Sequence, residues 1–332
     1  MATNLASTTR PIWEATRQSQ VLMQIPVLNA LMKRRRVVWK GGTVIKKTIP
    51  IATMESLGQE YSMGEALTST TKTMYDLPEF NWKYGTLPVE YDADVEIQNA
   101  SNTDGKIIDL AKDLVTHAQQ GAKQVIRTAI FGAYSATSDS QKGFQGFADA
   151  LAHDSTLYGG ITRSTTSKTW WMGASIAGTW ADYSTATACN IHNIRELTRV
   201  SSYYRDRKPS DILIVVSPTN FNKLRREMET RMIYRTDGDL AKQGFTAMSL
   251  DGMEIVADPY LDTNSTTQAY VYLLHLPDWE FRIHPSRDFA QTDFVWQGQI
   301  VNGYDRYLSR IMWAGNLVCW QPNASGYLSS MS

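Results

Sequence analysis

Between Asn102 and Tyr134 one apolar stripe keeps a helical period for longer than an ordinary helix would need. Ile107, Ala111, Leu114, Ala118, Ala122, Val125, Ala129 and Ala133 follow one another at steps of three and four, which puts them on one helical face. Ile108, Leu110, Val115, Ile126 and Ile130 widen the stripe. Lys112, Asp113, Gln119, Gln120 and Lys123 leave a polar side. Asn102 or Thr103 can cap the start, and Asp104 suits the positive end of the helix dipole. At the rise of an α-helix the segment would be roughly 45–50 Å long, well above the usual mean of three turns. Ala111, Ala118, Gly121, Ala122, Ala129, Gly132 and Ala133 let a flat partner approach closely. The pattern suits a long core helix of any α/β domain, and equally a spine on which an extended, flat subunit is built.

The 332 residues are enough for two domains or one large irregular one. With 42% apolar and 20% charged residues the chain is globular rather than disordered. No apolar run has the length of a membrane span, and the N-terminus lacks the apolar core of a signal peptide. We therefore expect a soluble, intracellular product without membrane contact. Cys189 and Cys319 are the only cysteines, too few for a disulfide framework or a structural zinc site, so both are read as buried free thiols.

Lysine plus arginine equals aspartate plus glutamate, at 33 each, so only the distribution of charge is informative. Lys33, Arg34, Arg35, Arg36, Lys40, Lys46 and Lys47 lie together with no acid among them. Then come Glu55, Glu60, Glu65, Asp76, Glu79, Glu90, Asp92, Asp94 and Glu96, against only Lys72 and Lys83. Adjacent segments of opposite sign can pair within one chain or between neighbours, and they give a steering field that salt would weaken.

In chain order, residues 1–36 read as an arm. Gln18–Arg34 is weakly helical, with Val21, Ile25, Leu28 and Met32 on one side and Pro26 as an interruption. An arm with little core of its own needs another surface to lie on. Residues 37–97 turn to strand chemistry. Thr43–Ala52 is rich in β-branched residues, Thr53–Asp76 is polar, and the chain is extended again to Ile97. Val89, Tyr91, Ala93, Val95 and Ile97 alternate with Glu90, Asp92, Asp94 and Glu96. This is a long hairpin with a wide tip, marginal unless it rests on a neighbour. After the long helix, Phe144–Leu151 is a short helix or turn, and Tyr158-Gly159-Gly160 is a turn. A compact α/β pattern follows: helix Ile191–Ser202, buried strand Ile212–Val216, and a helix started by Ser217-Pro218. Then come strands at Met253–Ala257, Ala269–Leu276, Glu280–His284, Phe294–Gln297 and Tyr307–Trp320.

Arm, long hairpin, spine helix, α/β lobe and returning strands, in that order, resemble the major capsid protein of tailed bacteriophages with the Hong Kong 97-type fold. Three local stretches carry the likeness further: Tyr158-Gly159-Gly160-Ile161-Thr162-Arg163-Ser164 followed by Trp170; Pro209-Ser210-Asp211-Ile212 through Ser217; and Leu250-Asp251-Gly252-Met253 through Pro259. Arg306–Gly326 fits the last strand. No single motif is diagnostic; the order of several is.

The resemblance implies an α+β capsid fold with these parts: N-terminal arm 1–36, extended E-loop hairpin 37–97, spine helix 98–140 of the peripheral domain, axial domain 141–260, return strands of the peripheral domain 261–307, and a last axial strand 308–332. It implies a coat protein that self-assembles, as hexamers and pentamers, into an icosahedral head around double-stranded DNA. It would be assembled in the bacterial host cytoplasm and located in the virion, with a portal and a possible separate scaffold or decoration protein as partners. The type member carries a long cleaved scaffolding segment before the arm. Only about thirty residues precede the hairpin here, so any scaffold is expected to be a separate protein or absent. The rival readings are an encapsulin-like nanocompartment shell of the same fold, an enzyme of unknown class and a basic-arm nucleic-acid binder.

The sequence holds no Gly-rich phosphate loop, no His-Glu-x-x-His and no Gly-x-Ser-x-Gly. His117, His153, His192, His275 and His284 are scattered singly. We assign no catalytic residue, cofactor or metal. The face Glu90, Asp92, Asp94 and Glu96 lacks the loop that gathers oxygens around a hard cation, and a solvated or arginine-facing strand is the simpler account. Trp82 and Tyr84 share a strand face but lack neighbouring arginines in sequence, so hairpin packing explains them better than base stacking. In the type member a hairpin lysine is joined to a neighbour's asparagine. Lys72 and Lys83 are the lysines in the outer hairpin, and no motif places a partner. The basic run Lys33, Arg34, Arg35 and Arg36 has three readings: contact with packaged DNA, pairing with a neighbour's acids, or solvation. Together with Glu90, Asp92, Asp94 and Glu96 these residues are the candidate intersubunit contacts.

Overall fold

The computed structural model describes residues 26–38, 41–51, 60–65, 72–94, 110–132, 143–152, 157–164, 167–175, 191–202, 208–230, 247–263, 271–297 and 305–328. The helices are α1 (Pro26–Arg35), α2 (Leu110–Phe131), α3 (Phe147–Leu151), α4 (Ile191–Ser202), α5 (Pro218–Thr230) and α6 (Tyr260–Thr263). The strands are β1 (Arg36–Val38), β2 (Val44–Lys46), β3 (Ile49–Pro50), β4 (Tyr75–Asp76), β5 (Glu79–Asn81), β6 (Lys83–Asp92), β7 (Leu157–Tyr158), β8 (Ile161–Thr162) and β9 (Ala174–Ser175). They continue with β10 (Ile212–Val216), β11 (Ala247–Leu250), β12 (Met253–Ala257), β13 (Val271–His275), β14 (Trp279–Ile283), β15 (Ala290–Gln291), β16 (Val295–Trp296), β17 (Arg306–Cys319) and β18 (Gly326–Leu328). The chain forms two compact units. The larger holds Gln24–Gly85, Val125–Asp288 and Trp313–Ser332; the smaller holds Thr86–Gln124 and Phe289–Met312.

In the larger unit a sheet runs β11-β12-β10-β13-β18-β9. Strand β10 is apolar throughout and buried throughout, as a strand covered on both faces must be. It pairs in parallel with β12 and antiparallel with β13. Helix α4 supplies Ile191, Ile194 and Leu197 to its core, and α5 supplies Phe221, Leu224 and Met228. Pro218 occupies the first position of α5, and Ser217 Oγ accepts the Asn220 N–H at 3.2 Å. The β11–β12 turn puts Asp251 at φ 51° and Gly252 at φ 84°, the handedness that a two-residue hairpin needs. Arg195 holds the Asp251 carboxylate with Nε at 2.8 Å and Nη2 at 3.0 Å, and this keeps that carboxyl below its usual range.

A second ladder in this unit runs from β1, parallel to β14, to the later part of β17, antiparallel to β14. Helix α1 brings Val27, Leu28, Ala30 and Leu31 into the core beside it. Residues 27–31 thus carry more core than an arm with little core of its own implies. Pro26 stands at the first described position of α1, where a missing N–H costs nothing in a first turn; residues 18–25, on the other side of the expected interruption, lie outside the described residues. The earlier part of the expected arm lies outside the described residues.

The smaller unit is built on β6, whose alternation is as expected: Leu87, Val89 and Tyr91 turn inward while Pro88, Glu90 and Asp92 turn out. Tyr91 stacks on Tyr307 and meets Phe294 edge-on, each at 5.2 Å between ring centroids. Strands β15 and β16 add to the first part of β17. A Cβ on Gly121 of α2 would stand 3.5 Å from Leu87 Cδ2, an ordinary van der Waals contact.

The described part of the expected 102–134 helix is Leu110–Phe131; residues 102–109 and 133–134 lie outside the description. The buried arc is not the expected one at every position. Ala122, Ile126, Ala129, Ile130 and Phe131 are buried, but Val125 is 47% exposed and Arg127 only 3%. The arc is shifted toward Arg127 because a buried carboxylate meets it. Arg127 Nη2 lies 2.9 Å from Asp258 Oδ1, with side-chain exposures of 3% and 0%. Asp258 also accepts the N–H of Tyr260 at 3.0 Å and the N–H of Val27 in the first turn of α1. Arg127 packs over the Tyr260 ring at 5.1 Å. Burial pushes the Asp258 carboxyl above its ordinary value, and Arg127 with these N–H donors offsets the rise only in part.

An acid raised in the folded state binds its proton more tightly there than when unfolded. Its ionisation cost therefore grows as pH rises between the unfolded and folded values. We predict that Arg127→Leu, which leaves the carboxylate buried without its cation, destabilises the subunit by about 3–5 kcal/mol near neutral pH. The deficit should shrink as pH falls and the carboxyl takes up a proton. Urea unfolding of the unassembled variant at neutral and acidic pH checks both; an equal deficit at the two pH values would contradict the second.

Candidate functional site

The two arms of the hairpin form one ribbon. Strand β2 pairs with β5 (Ile45 opposite Phe80) and β3 with β4 (Ile49 opposite Asp76). The Ile51 N–H continues the same register to Met74 O at 2.9 Å. Pro78 lies where the ladder breaks, as a residue with no N–H must. Farther out, the Ser62 N–H donates to Glu65 Oε2 at 2.9 Å and the Glu65 N–H to Ser62 O at 3.0 Å, around Gly64 at φ 88°. Tyr61, Met63, Tyr75, Leu77 and Tyr84 are exposed along this ribbon. Tyr75 and Tyr84 were read as hairpin packing and are exposed instead. The sequence reading took the tip, Thr53–Asp76, as polar and missed Tyr61 and Met63 there. Their only signal is large apolar residues spaced singly among small polar ones.

Lys33 is exposed on α1, Arg34 and Arg35 close that helix, and Arg36 opens β1. Cations in a last helical turn also stabilise the helix dipole, a role the sequence reading did not weigh. Two other members of the basic segment find acids within the larger unit: Lys46 pairs with Glu79, and Lys47 lies 3.7 Å from Glu280. Glu90, Asp92 and Asp94 are exposed in the smaller unit, and Glu96 lies outside the described residues. Arg306 Nη1 stands 2.9 Å from Glu90, and its Nε 3.7 Å from Asp92. The acidic face is thus an arginine-facing strand in part, and Arg306, remote in sequence, is the residue that sequence reading could not bring to it.

Structure also supplies what Trp82 and Tyr84 lacked in sequence. The Arg287 guanidinium lies 5.9 Å from the Tyr84 ring, and His284 meets Trp82 edge-on at 6.0 Å. Trp82 Nε1 donates to Gly42 O at 3.0 Å, so this ring is held by the ribbon itself. Lys72 is exposed and Lys83 buried. Cys319 is a buried free thiol that burial pushes well up from its ordinary value; Cys189 lies outside the described residues. His275 Nδ1 is 2.7 Å from Asp278 Oδ2 in the core. Among the described residues no three His, Cys, Asp or Glu side chains are grouped to hold a metal ion. No described helix is long and apolar enough to cross a membrane.

No protein-family model and no curated protein matches the sequence. Solved structures do match, over the whole chain. The capsid of cyanophage A-1(L) superposes with a TM-score of 0.68 at 14% identity, covering 99% of each chain. The capsid of a native GTA particle does so at 0.64 and 10%, covering 100% of this chain and 98% of that one. The SrpI encapsulin of Synechococcus elongatus does so at 0.57 and 8%, covering 99% and 94%. The chain therefore has the Hong Kong 97-type fold, an α+β architecture found in phage capsids and in an encapsulin.

The Arg306 contacts are exposed pairs, so each contributes about 0–1 kcal/mol. We expect Arg306→Gln to change the unfolding free energy of the subunit by no more than about 1 kcal/mol, and less in high salt. Urea titrations at low and high salt measure this.

Proposed function

We propose that this chain is the major capsid protein of a tailed bacteriophage: a subunit that assembles with copies of itself into a closed icosahedral shell around double-stranded DNA. The observation that carries the reading is the match over the full length of chains that form capsids, not over one lobe. Exposed Tyr61, Met63, Tyr75 and Tyr84 on the ribbon support it, since large apolar groups on a surface mark contacts with another protein. Assembly needs no catalytic group: many copies of a modest contact add up around a closed surface. The domain plan is that of the fold family, with E-loop 37–97, spine helix 98–140, and peripheral and axial domains from the remainder. Hexamers and pentamers are the assembly units, the bacterial cytoplasm is the site of assembly, and the virion the destination. A portal and a separate scaffold or decoration protein are further partners. The encapsulin-like reading differs in cargo alone.

Purified chain, alone or with a scaffold, should form closed shells visible by electron microscopy, and shells from infected or expressing cells should hold DNA. An enzyme inside them would instead select the nanocompartment. Replacing Tyr61 and Met63 by Ser should abolish or sharply reduce shell yield while changing subunit stability by less than about 0.5 kcal/mol, as expected for exposed positions. Wild-type yield from that variant would remove the ribbon tip from the interface.

Lys33, Arg34, Arg35 and Arg36 are proposed to meet acids of an adjacent subunit, with Glu90, Asp92, Asp94 and Glu96 as the leading face. Because Arg34 and Arg35 end α1, the useful variant is Arg→Gln at 34, 35 and 36, which avoids placing acids at the negative end of that helix. It should reduce assembly at low salt, and its yield should fall less with added salt than the wild type's, because the attraction that salt screens has been removed. Normal empty shells with a defect only in DNA filling would favour the phosphate-contact reading instead.

A further inference from the structure

The base of the ribbon is not a loose attachment. Phe80 of β5 is fully buried and meets Tyr158 edge-on at 5.1 Å and Trp320 edge-on at 5.6 Å. Its third wall is Gly159, where a Cβ would stand 2.6 Å from Phe80 Cζ. The walls are themselves held. Tyr158 OH accepts the Cys319 N–H at 2.9 Å, and Tyr158 O accepts Trp171 Nε1 at 2.8 Å. Trp320 has Lys47 at 5.2 Å and Arg282 at 5.4 Å from its ring centre. Arg282 Nε donates to Glu280 Oε2 at 2.9 Å. Backbone bonds flank the ring on both sides: the Glu79 N–H donates to Gly159 O at 2.9 Å, and Asn316 Nδ2 donates to Asn81 O at 2.9 Å. A close-packed aromatic box of this kind has discrete arrangements rather than a continuous range of them.

We propose that Phe80, seated between Tyr158, Trp320 and Gly159, is an angle-setting pin. It fixes the direction in which the ribbon leaves the larger unit, and through that direction it selects the curvature of the assembled shell. Gly159 is the specificity element: only a residue without a side chain leaves room for the ring. The second half of the proposal rests on the shell-subunit reading above; the first half does not.

The test is a two-residue cycle on the full chain, Gly159→Ala, Phe80→Leu and the double variant, with two readouts. Hydrogen exchange on the unassembled subunit should show amides of 44–51 and 74–81 exchanging about tenfold faster in Gly159→Ala, with β10 and β12 unchanged. The methyl group displaces the ring, and a leucine at 80 makes room for it. The double variant should therefore recover part of the protection, a coupling that backbone strain at φ 55° alone would not give. In electron micrographs the single variant should give shells of mixed diameter and the double variant a narrower distribution. Exchange rising equally through β10 and β12, or no recovery in the double variant, would overturn the pin. Faster ribbon exchange with shells of unchanged, uniform diameter would overturn its link to curvature. If the wild-type chain forms no shells, the shell reading fails while the exchange cycle still decides the pin.

Discussion

The larger unit depends on one buried ion pair. Asp258 ends β12 and receives Arg127 from α2, the N–H of Tyr260 that opens α6, and the N–H of Val27 in the first turn of α1. Helices α1 and α2, both distant in sequence, converge on one carboxylate at the junction of β12 and α6. A buried pair is not a large net source of stability, because removing two charges from water costs nearly what their attraction returns. Its strength is discrimination. Any arrangement that moved α1 or α2 away from the end of β12 would leave a charge in a dry interior, and that cost falls on the misassembled state alone. The aromatic contacts around it, Phe131 on Tyr260 and Phe147 on Trp279, fill the volume but do not choose the partner.

The same pair marks where sequence reading stops. Strand β10 was legible because five consecutive apolar residues between a turn and Ser217-Pro218 leave little else to be. Helix α4 and strand β12 were legible to the residue, and so was the alternation of Val89 and Tyr91 with Glu90 and Asp92, although β6 ends at Asp92 and not at Ile97. At helix α1 the helical pattern of the residues after Pro26 was legible, while the residues before it lie outside the described ones. The stripe on α2 was right in period and off by a fraction of a turn: Arg127 was not placed on it, and only the distant Asp258 makes it interior. The candidate site shows the same limit. Residues that alternate along one strand were found, while Arg306 and Arg287, which complete those faces from far along the chain, left no local signal.

The distribution of charge bears on the shell-subunit reading proposed above. Its formal charge is zero, so copies do not repel one another at long range. The opposed segments that dominate the sequence are partly satisfied inside each unit, by Lys46 with Glu79 and Arg306 with Glu90. Exposed pairs of this kind add little stability. They do reduce the number of bare charges that a neighbour would have to desolvate. Among the described residues of the ribbon, Tyr61, Met63, Tyr75 and Leu77 are exposed apolar and aromatic groups. Contacts made from such groups are short-ranged, and each one is weak and reversible. On the proposed reading, a shell built from them can correct a misplaced subunit before closure, and it becomes stable only when every copy is held by several neighbours at once.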